Sequence, residues 1–285
     1  MADRRPSPTA AASGQVLHLA LGAALSPFKR PRPDAGCPGT RLVRSGVRAD
    51  PDRLAAYERV CGFPPGDGAL PLTYPHVLGF PLAVRLMCDR RFPLPLLGLV
   101  HTSVEITRRT VLPAAAEYEL AVHVGAVAAH RRGTEATLVT EVRAGGQLVW
   151  ESRSTCLARH RTDAPPAERA APDPLPVLAE WRLGADTGRR YGAVSGDRNP
   201  IHLHPLTARP FGFRRAVAHG MWTVARCLAE HPAPGAVRMR AAFRAPVLLP
   251  GTVQYAADGG RFELRRGERR FVTGEVAPLG SDGRR

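Results

Sequence analysis

The run from Tyr191 to Met221, YGAVSGDRNPIHLHPLTARPFGFRRAVAHGM, holds the residue types that acid–base chemistry needs. Asp197 and His202 stand five residues apart. On a continuous helix they would point about 140° apart. Asn199-Pro200 lies between them and disfavours such a helix. A turn there would fold the carboxyl and the imidazole into one pocket, as an acid/base pair. Downstream, Gly220 precedes Met221, Val224, Ala225 and Leu228, an apolar stripe at helical spacing. The first N–H groups of a helix have no partner within it. Helped by the helix dipole, they can stabilise a developing oxyanion. A base, an acid and an oxyanion site together suit proton removal beside a carbonyl.

Plainer readings stand beside this one. An Asp before Asn-Pro is commonly a turn former, and a single His is commonly a packing residue. His202 and His204 would give two metal ligands on a strand, but no third lies nearby, so no metal is expected. Ser195 sits in Gly192-Ala-Val-Ser-Gly196, which has the wrong spacing for a Gly-x-Ser-x-Gly elbow. That disfavours a serine hydrolase. No redox or nucleotide fingerprint occurs, so no bound cofactor is expected.

The elements that must hold these residues read as a duplicated α+β unit. Residues 1–41 form an N-terminal extension whose first 14 residues are small and polar, as disordered termini are. Structure should begin near Leu42. Five prolines between 163 and 176 mark an extended linker, leaving blocks over 42–162 and 177–280. In each block a Tyr stands five residues before a Gly, Tyr57 before Gly62 and Tyr191 before Gly196. Strands follow in both: 99–112, 118–129, 134–142 and 147–158 in the first, 237–245, 252–257, 262–266 and 269–276 in the second. Several alternate apolar and polar residues, as half-buried antiparallel strands do. Residues 143–146 and 258–260 fit hairpin turns.

Composition sets the outer bounds. Of 285 residues, 44% are hydrophobic and 23% charged, an ordinary globular balance. The net charge is +15, but Lys29 is the only lysine and the arginines are scattered rather than gathered in a stripe. No nucleic-acid footprint is expected from that pattern. An acidic partner remains compatible with it. The longest apolar candidate, residues 16–25, is interrupted by His18 and too short to span a bilayer. The five cysteines form no Cys-x-x-Cys pair, which suits reduced thiols in the cytoplasm.

The run Ser195-Gly-Asp-Arg-Asn-Pro-Ile-His202, followed by Gly212-Phe213 and Ala218-His-Gly-Met221, resembles the hydratase motif of the MaoC-like family. This is the family of (R)-specific enoyl-thioester hydratases and dehydratases. The resemblance covers roughly residues 42–280 and is strongest over 190–222. It implies a double hot-dog fold, two antiparallel sheets each wrapped around a central helix. It implies Asp197 and His202 as the acid/base pair, Asn199 as an orienting group and the Gly220 N–H as the oxyanion hole. Ser195, Val217, His219 and Met221 would bind substrate, and an apolar pocket would raise the pKa of Asp197. The substrate would be a coenzyme A or acyl-carrier-protein thioester, with Arg214 and Arg215 placed to meet phosphates. A homodimer is compatible with this pattern. The first block has Phe63 and Gly68 where the second has Asp197 and His202, so one active site per chain is expected. A hot-dog thioesterase and a non-catalytic acyl-binding subunit are the competing functions.

Overall fold

A computed structural model describes residues 29, 31, 36–165, 173–231, 233 and 235–280. The expectations for residues 1–14, for 16–25 and for residues 166–172 of the linker lie outside the described residues. The first half runs β1 (Arg41–Arg48), α1 (Pro51–Cys61), α2 (Tyr74–Cys88), β2 (Val100–Arg108), β3 (Glu117–His130), β4 (Gly133–Ala144) and β5 (Gln147–Arg159). The second runs β6 (Val177–Leu183), α3 (Thr187–Ser195), α4 (Pro200–Leu203), α5 (Pro205–Ala208), β7 (Ala216–Val217), α6 (Gly220–Glu230), β8 (Val237–Phe243), β9 (Leu248–Leu249), β10 (Gly251–Asp258), β11 (Arg261–Arg266) and β12 (Arg269–Pro278).

Ten strands make one sheet in the order β1-β3-β4-β5-β2-β8-β12-β11-β10-β6. Read from each edge inward, the halves repeat one order: β1-β3-β4-β5-β2 and β6-β10-β11-β12-β8. The seam is the antiparallel pair β2/β8, in register from Ser103 opposite Ala242 to Arg108 opposite Val237. Glu105 ties it on the outer face, accepting from Arg240 at 2.8 Å. Helix α2 lies on β3 and β4, and α6 lies on β11. The architecture is the double hot dog of the α+β class.

Both central helices are buried because of their sequences. In α6, Met221, Val224, Ala225 and Leu228 are all buried, as their spacing predicts. Helix α2 is apolar on most faces and continues through Pro81, which supplies no N–H, because burial holds it where propensity does not. Beside each central helix, α1 and α3 pack against one another. Tyr57 and Tyr191 meet there, ring centroids 6.0 Å apart. Each of these two helices ends on a left-handed glycine, Gly62 at φ 81° and Gly196 at φ 83°. A side chain would be strained at either position. The shared Tyr–Gly spacing is therefore one packing residue and one helix cap, used twice.

Most of the core is continuous across the seam, with Tyr57, Ile106 and Trp150 in the same cluster as Tyr191, Trp222 and Met239. Trp222 of α6 donates its indole N–H to the Val60 carbonyl of α1 at 3.0 Å. Arg53 of α1 donates to the Val194 carbonyl of α3 at 2.7 Å.

Candidate active site

The turn after α3 is built by short polar side chains bonding to nearby backbone. The Asp197 N–H donates to Ser195 Oγ at 3.1 Å. Asp197 Oδ1 accepts the Asn199 N–H at 3.1 Å. Asn199 Oδ1 in turn accepts the Ile201 N–H at 3.4 Å, capping α4 with Pro200 at its first position. One carboxylate oxygen is thereby fixed, and Oδ2 is left for other partners.

Helix α4 carries His202 inward. Its Nδ1 lies 2.7 Å from the Val217 carbonyl. A carbonyl only accepts, so Nδ1 bears the proton and Nε2 of the neutral ring holds a lone pair. Val217 is itself held by β7, which pairs with β9. His219 stacks on His202 with ring centroids 3.7 Å apart. It donates from Nε2 to the Asp197 carbonyl at 2.9 Å. The same nitrogen is 3.9 Å from Asp197 Oδ2. One ligand atom each from Asp197, His202 and His219 lies within 4.8 Å of the others. That spacing accommodates one water bridging a carboxylate and an imidazole, at about 2.8 Å per arm.

The same three groups are a possible set of metal ligands by residue type. The hydrogen bond from His219 Nε2 to a carbonyl makes that nitrogen a donor and leaves the ring's lone pair on Nδ1, which is buried without a hydrogen-bond partner. His204 is exposed and accepts the Leu206 N–H at 3.2 Å, away from His202.

Burial by itself pushes the Asp197 carboxyl up, but His219, His202, the Asn199 N–H and His76 outweigh it, and the net shift is downward. This corrects the expectation of a raised carboxyl: the pocket is lined by imidazoles and an N–H rather than by apolar groups alone. Burial lowers His202 below its ordinary 6.5, opposed by Asp197 and the Val217 carbonyl. Burial, reinforced by His202, lowers His219 to about 4. Near neutral pH the site thus holds a carboxylate and two uncharged imidazoles.

Gly220 is the first residue of α6, so its N–H has no partner within the helix. A Cβ there would lie 2.9 Å from the Phe243 ring. Met221 and Val217 are both buried. Arg214 and Arg215 are exposed, and Arg215 donates to the Pro250 carbonyl at 2.7 Å.

Two features of the site carry no motif signal. A Cβ on Gly188 of α3 would come within 2.0 Å of the His202 carbonyl oxygen, and one on Gly192 within 2.8 Å of the Asp197 carbonyl oxygen. Helix α3 therefore approaches the turn from Asp197 to His202 backbone to backbone. Tyr191 presents its ring to His219 at 4.8 Å between centroids. A helical Gly is the signal that could have found the first feature, since it costs about 1 kcal/mol against Ala unless packing requires it.

Residues 163–277 match the family model described as the MaoC like domain. The chain is 37% identical over 236 residues to 3-hydroxyacyl-thioester dehydratase X of Mycobacterium tuberculosis, covering 80% of this chain and 84% of that protein. The crystal structure of HtdX from the same organism superposes with a TM-score of 0.74 at 34% identity, over 84% of this chain and all of that one. A second Mycobacterium tuberculosis protein, described as having a double hot-dog fold, is alike in fold at a TM-score of 0.52 and 12% identity, over 85% of this chain and 96% of that one.

Proposed function

The chain belongs to the MaoC-like family, and on that premise we propose that it interconverts (R)-3-hydroxyacyl and trans-2-enoyl thioesters by reversible loss and addition of water. The similar mycobacterial protein is named for dehydration of a 3-hydroxyacyl thioester. The observation that carries the reading is the grouping of Asp197, His202 and His219 within 4.8 Å, close to the first turn of a buried helix.

In the hydration direction a water is held between Asp197 Oδ2 and His202 Nε2. Both groups accept at neutral pH, so the water presents both protons to the protein and its lone pair to C3. As the C3–O bond forms, one water O–H bond breaks and His202 takes the proton. The electrons of the C2=C3 bond move to the thioester oxygen, where the Gly220 N–H and the N-terminal end of α6 stabilise the enolate. The enolate then collapses, and C2 takes a proton from His202. Asp197, with its lowered pKa, stays ionised, orients the water and stabilises the imidazolium. One water and one imidazole serve both carbons, so addition occurs on one face. Asn199 and Ser195 position Asp197 through the turn, and His219 fixes its backbone.

The reading assigns one active site per chain, in residues 177–280, with residues 42–162 as the packing half. The Phe63 that follows the Gly62 cap offers no acid or base where Asp197 follows the Gly196 cap. The carrier of the acyl group is coenzyme A or acyl carrier protein. We place the enzyme in the cytoplasm, on the support of five free thiols. No described helix is long and apolar enough to cross a membrane.

The test is enoyl absorbance with purified protein and short and medium trans-2-enoyl-CoA. Loss of the enoyl signal without release of thiol is expected. Thiol release would make the protein a thioesterase, and no reaction with either carrier would leave it a non-catalytic acyl-binding subunit.

A further inference from the structure

Two of the first half's histidines, none of which the mechanism above uses, have a buried ring nitrogen without a partner. His76 stands in the first turn of α2, and His101 is the second residue of β2. Their rings lie nearly parallel, 11° between planes and 6.5 Å between centroids. Among the described residues, His76 Nδ1 and His101 Nε2 are buried with no hydrogen-bond partner. A buried polar nitrogen without a partner forfeits its hydration, so it calls for a compensating ligand or function.

The backbone is shaped to aim one of them. Strand β2 has an irregularity between His101 and Ser103: Ser103 faces Thr155 and His101 faces the very next residue of β5, Cys156. Thr102 is therefore the extra residue of a bulge. Cys156 packs against the core cluster of Leu86 and Phe92 beneath α2. The bulge turns His101 to that helix side of the sheet instead of leaving it outward with Ser103 and Glu105, as bulges beside active sites do.

A row of contacts leads from these rings to the reacting centre. The His101 ring lies 4.7 Å from the Phe243 ring, across the seam between the halves. Phe243 is the ring that a Cβ on Gly220 would strike. Both histidines also feel the charge of Asp197. Burial nevertheless holds His76 down to about 4, and burial together with His76 holds His101 down to about 3. At neutral pH both are uncharged; the Ser103 backbone takes up the His101 ring N–H, so His101 Nε2 offers a lone pair, while His76 Nδ1 can donate or accept.

We propose that His76 and His101 form a second polar wall of the acyl-thioester site, supplied by the half that lacks the acid/base pair, and that they hydrogen-bond a neutral oxygen of the bound thioester. A carbonyl or hydroxyl oxygen fits an uncharged pair beside an existing carboxylate, whereas a second carboxylate would be repelled by Asp197 in a dry site. The inference rests on the acyl-thioester reading of the site. The oxygen has two sources: the thioester carbonyl that every substrate shares, which accepts from His76 alone, or a hydroxyl farther along an oxygenated acyl chain, which accepts from His76 and donates to His101 Nε2.

Nitrogen-15 spectra of the histidine rings, with two probes that cannot be dehydrated, distinguish these cases. The acyl group of butanoyl-CoA carries only the thioester oxygen, and that of 6-hydroxyhexanoyl-CoA adds a chain hydroxyl. The His202 signal reports that a probe has bound. Movement of the His76 signal is expected with both probes if the thioester oxygen is the ligand, and movement of both the His76 and His101 signals with the hydroxylated probe alone if the chain oxygen is. The affected probe should bind about tenfold more weakly to the leucine variant, His76→Leu or His101→Leu, of each histidine whose signal it moves, the scale of one lost hydrogen bond, while His76→Asn and His101→Gln, which return an amide at Nδ1 and at Nε2, stay within about threefold of the parent. A His202 signal that moves while His76 and His101 stay still, with unchanged affinity in the leucine variants, would overturn the inference and leave the acyl-thioester reading intact. If neither acyl group, carried on coenzyme A or on acyl carrier protein, moves any of the three signals, the acyl-thioester reading falls and the inference falls with it. The spectra of the parent protein decide the question even where a leucine variant fails to fold.

Discussion

In the proposed mechanism Asp197 and His202 do different work because their surroundings differ. Asp197 keeps 30% of its side-chain exposure and has one oxygen on a backbone N–H, so it remains a carboxylate. His202 is buried and fixed by the Val217 carbonyl, so it remains an uncharged ring with one lone pair. Removing either should lower kcat by about 10²–10⁴-fold, the usual contribution of a positioned acid or base. Asp197→Asn and His202→Ala, assayed by enoyl absorbance with circular dichroism to show retained fold, check this. The lowered pKa of His202 fixes the direction of the pH dependence. The base is competent while unprotonated and is lost as pH falls through its folded pKa, which lies below 6.5. The acidic limb of kcat/KM should therefore lie below pH 6.5. A limb at or above that value would show that the imidazole is charged in the free enzyme and that the assignment of the base is wrong.

The turn that carries the proposed acid/base pair depends on helix α3 as much as on its own residues. Gly188 lets α3 lie directly against the His202 carbonyl, where any side chain would overlap backbone oxygen rather than a movable side chain. Gly188→Ala should displace the turn. We expect at least a tenfold loss of kcat, with a destabilisation of about 1–3 kcal/mol from overpacking. Steady-state kinetics beside thermal melting measure both, and unchanged values would mean that α3 shifts without cost. This dependence also marks what is legible in sequence. Asp197, His202 and the start of α6 are readable because they fall within one contiguous run and the Asn-Pro between them forces a turn. The inner strands are readable because they alternate. The edge strands β1 and β6 are not, since each has a single buried residue, Val47 and Leu183, and so almost no apolar alternation. His76 and His101 are separated from the motif by about 100 residues. Only the bulge in β2 and the seam bring them near it, and neither a bulge nor a seam leaves a local pattern.

Across the whole molecule, the two halves share a fold but not an independent interior. The seam is hydrogen-bonded as any other strand pair in the sheet, and the largest core cluster draws residues from both sides of it. Trp222, at the start of the second half's central helix, is buried and gives its N–H to α1 of the first half. Arg108 of β2 donates to the Ala233 and Gly235 carbonyls beyond α6. Separating the halves would expose those apolar faces and strand the buried donors, each costing about 1–3 kcal/mol if left unpaired. Neither half can then melt while the other persists. Scanning calorimetry should give one transition, with the van't Hoff enthalpy equal to the calorimetric enthalpy. Trp222→Phe should lower its midpoint without splitting it, because it removes one bridging bond and leaves the continuous core. Two resolved transitions in the parent protein would mean that the halves fold as separate units, and that the seam is a docking surface rather than part of one core.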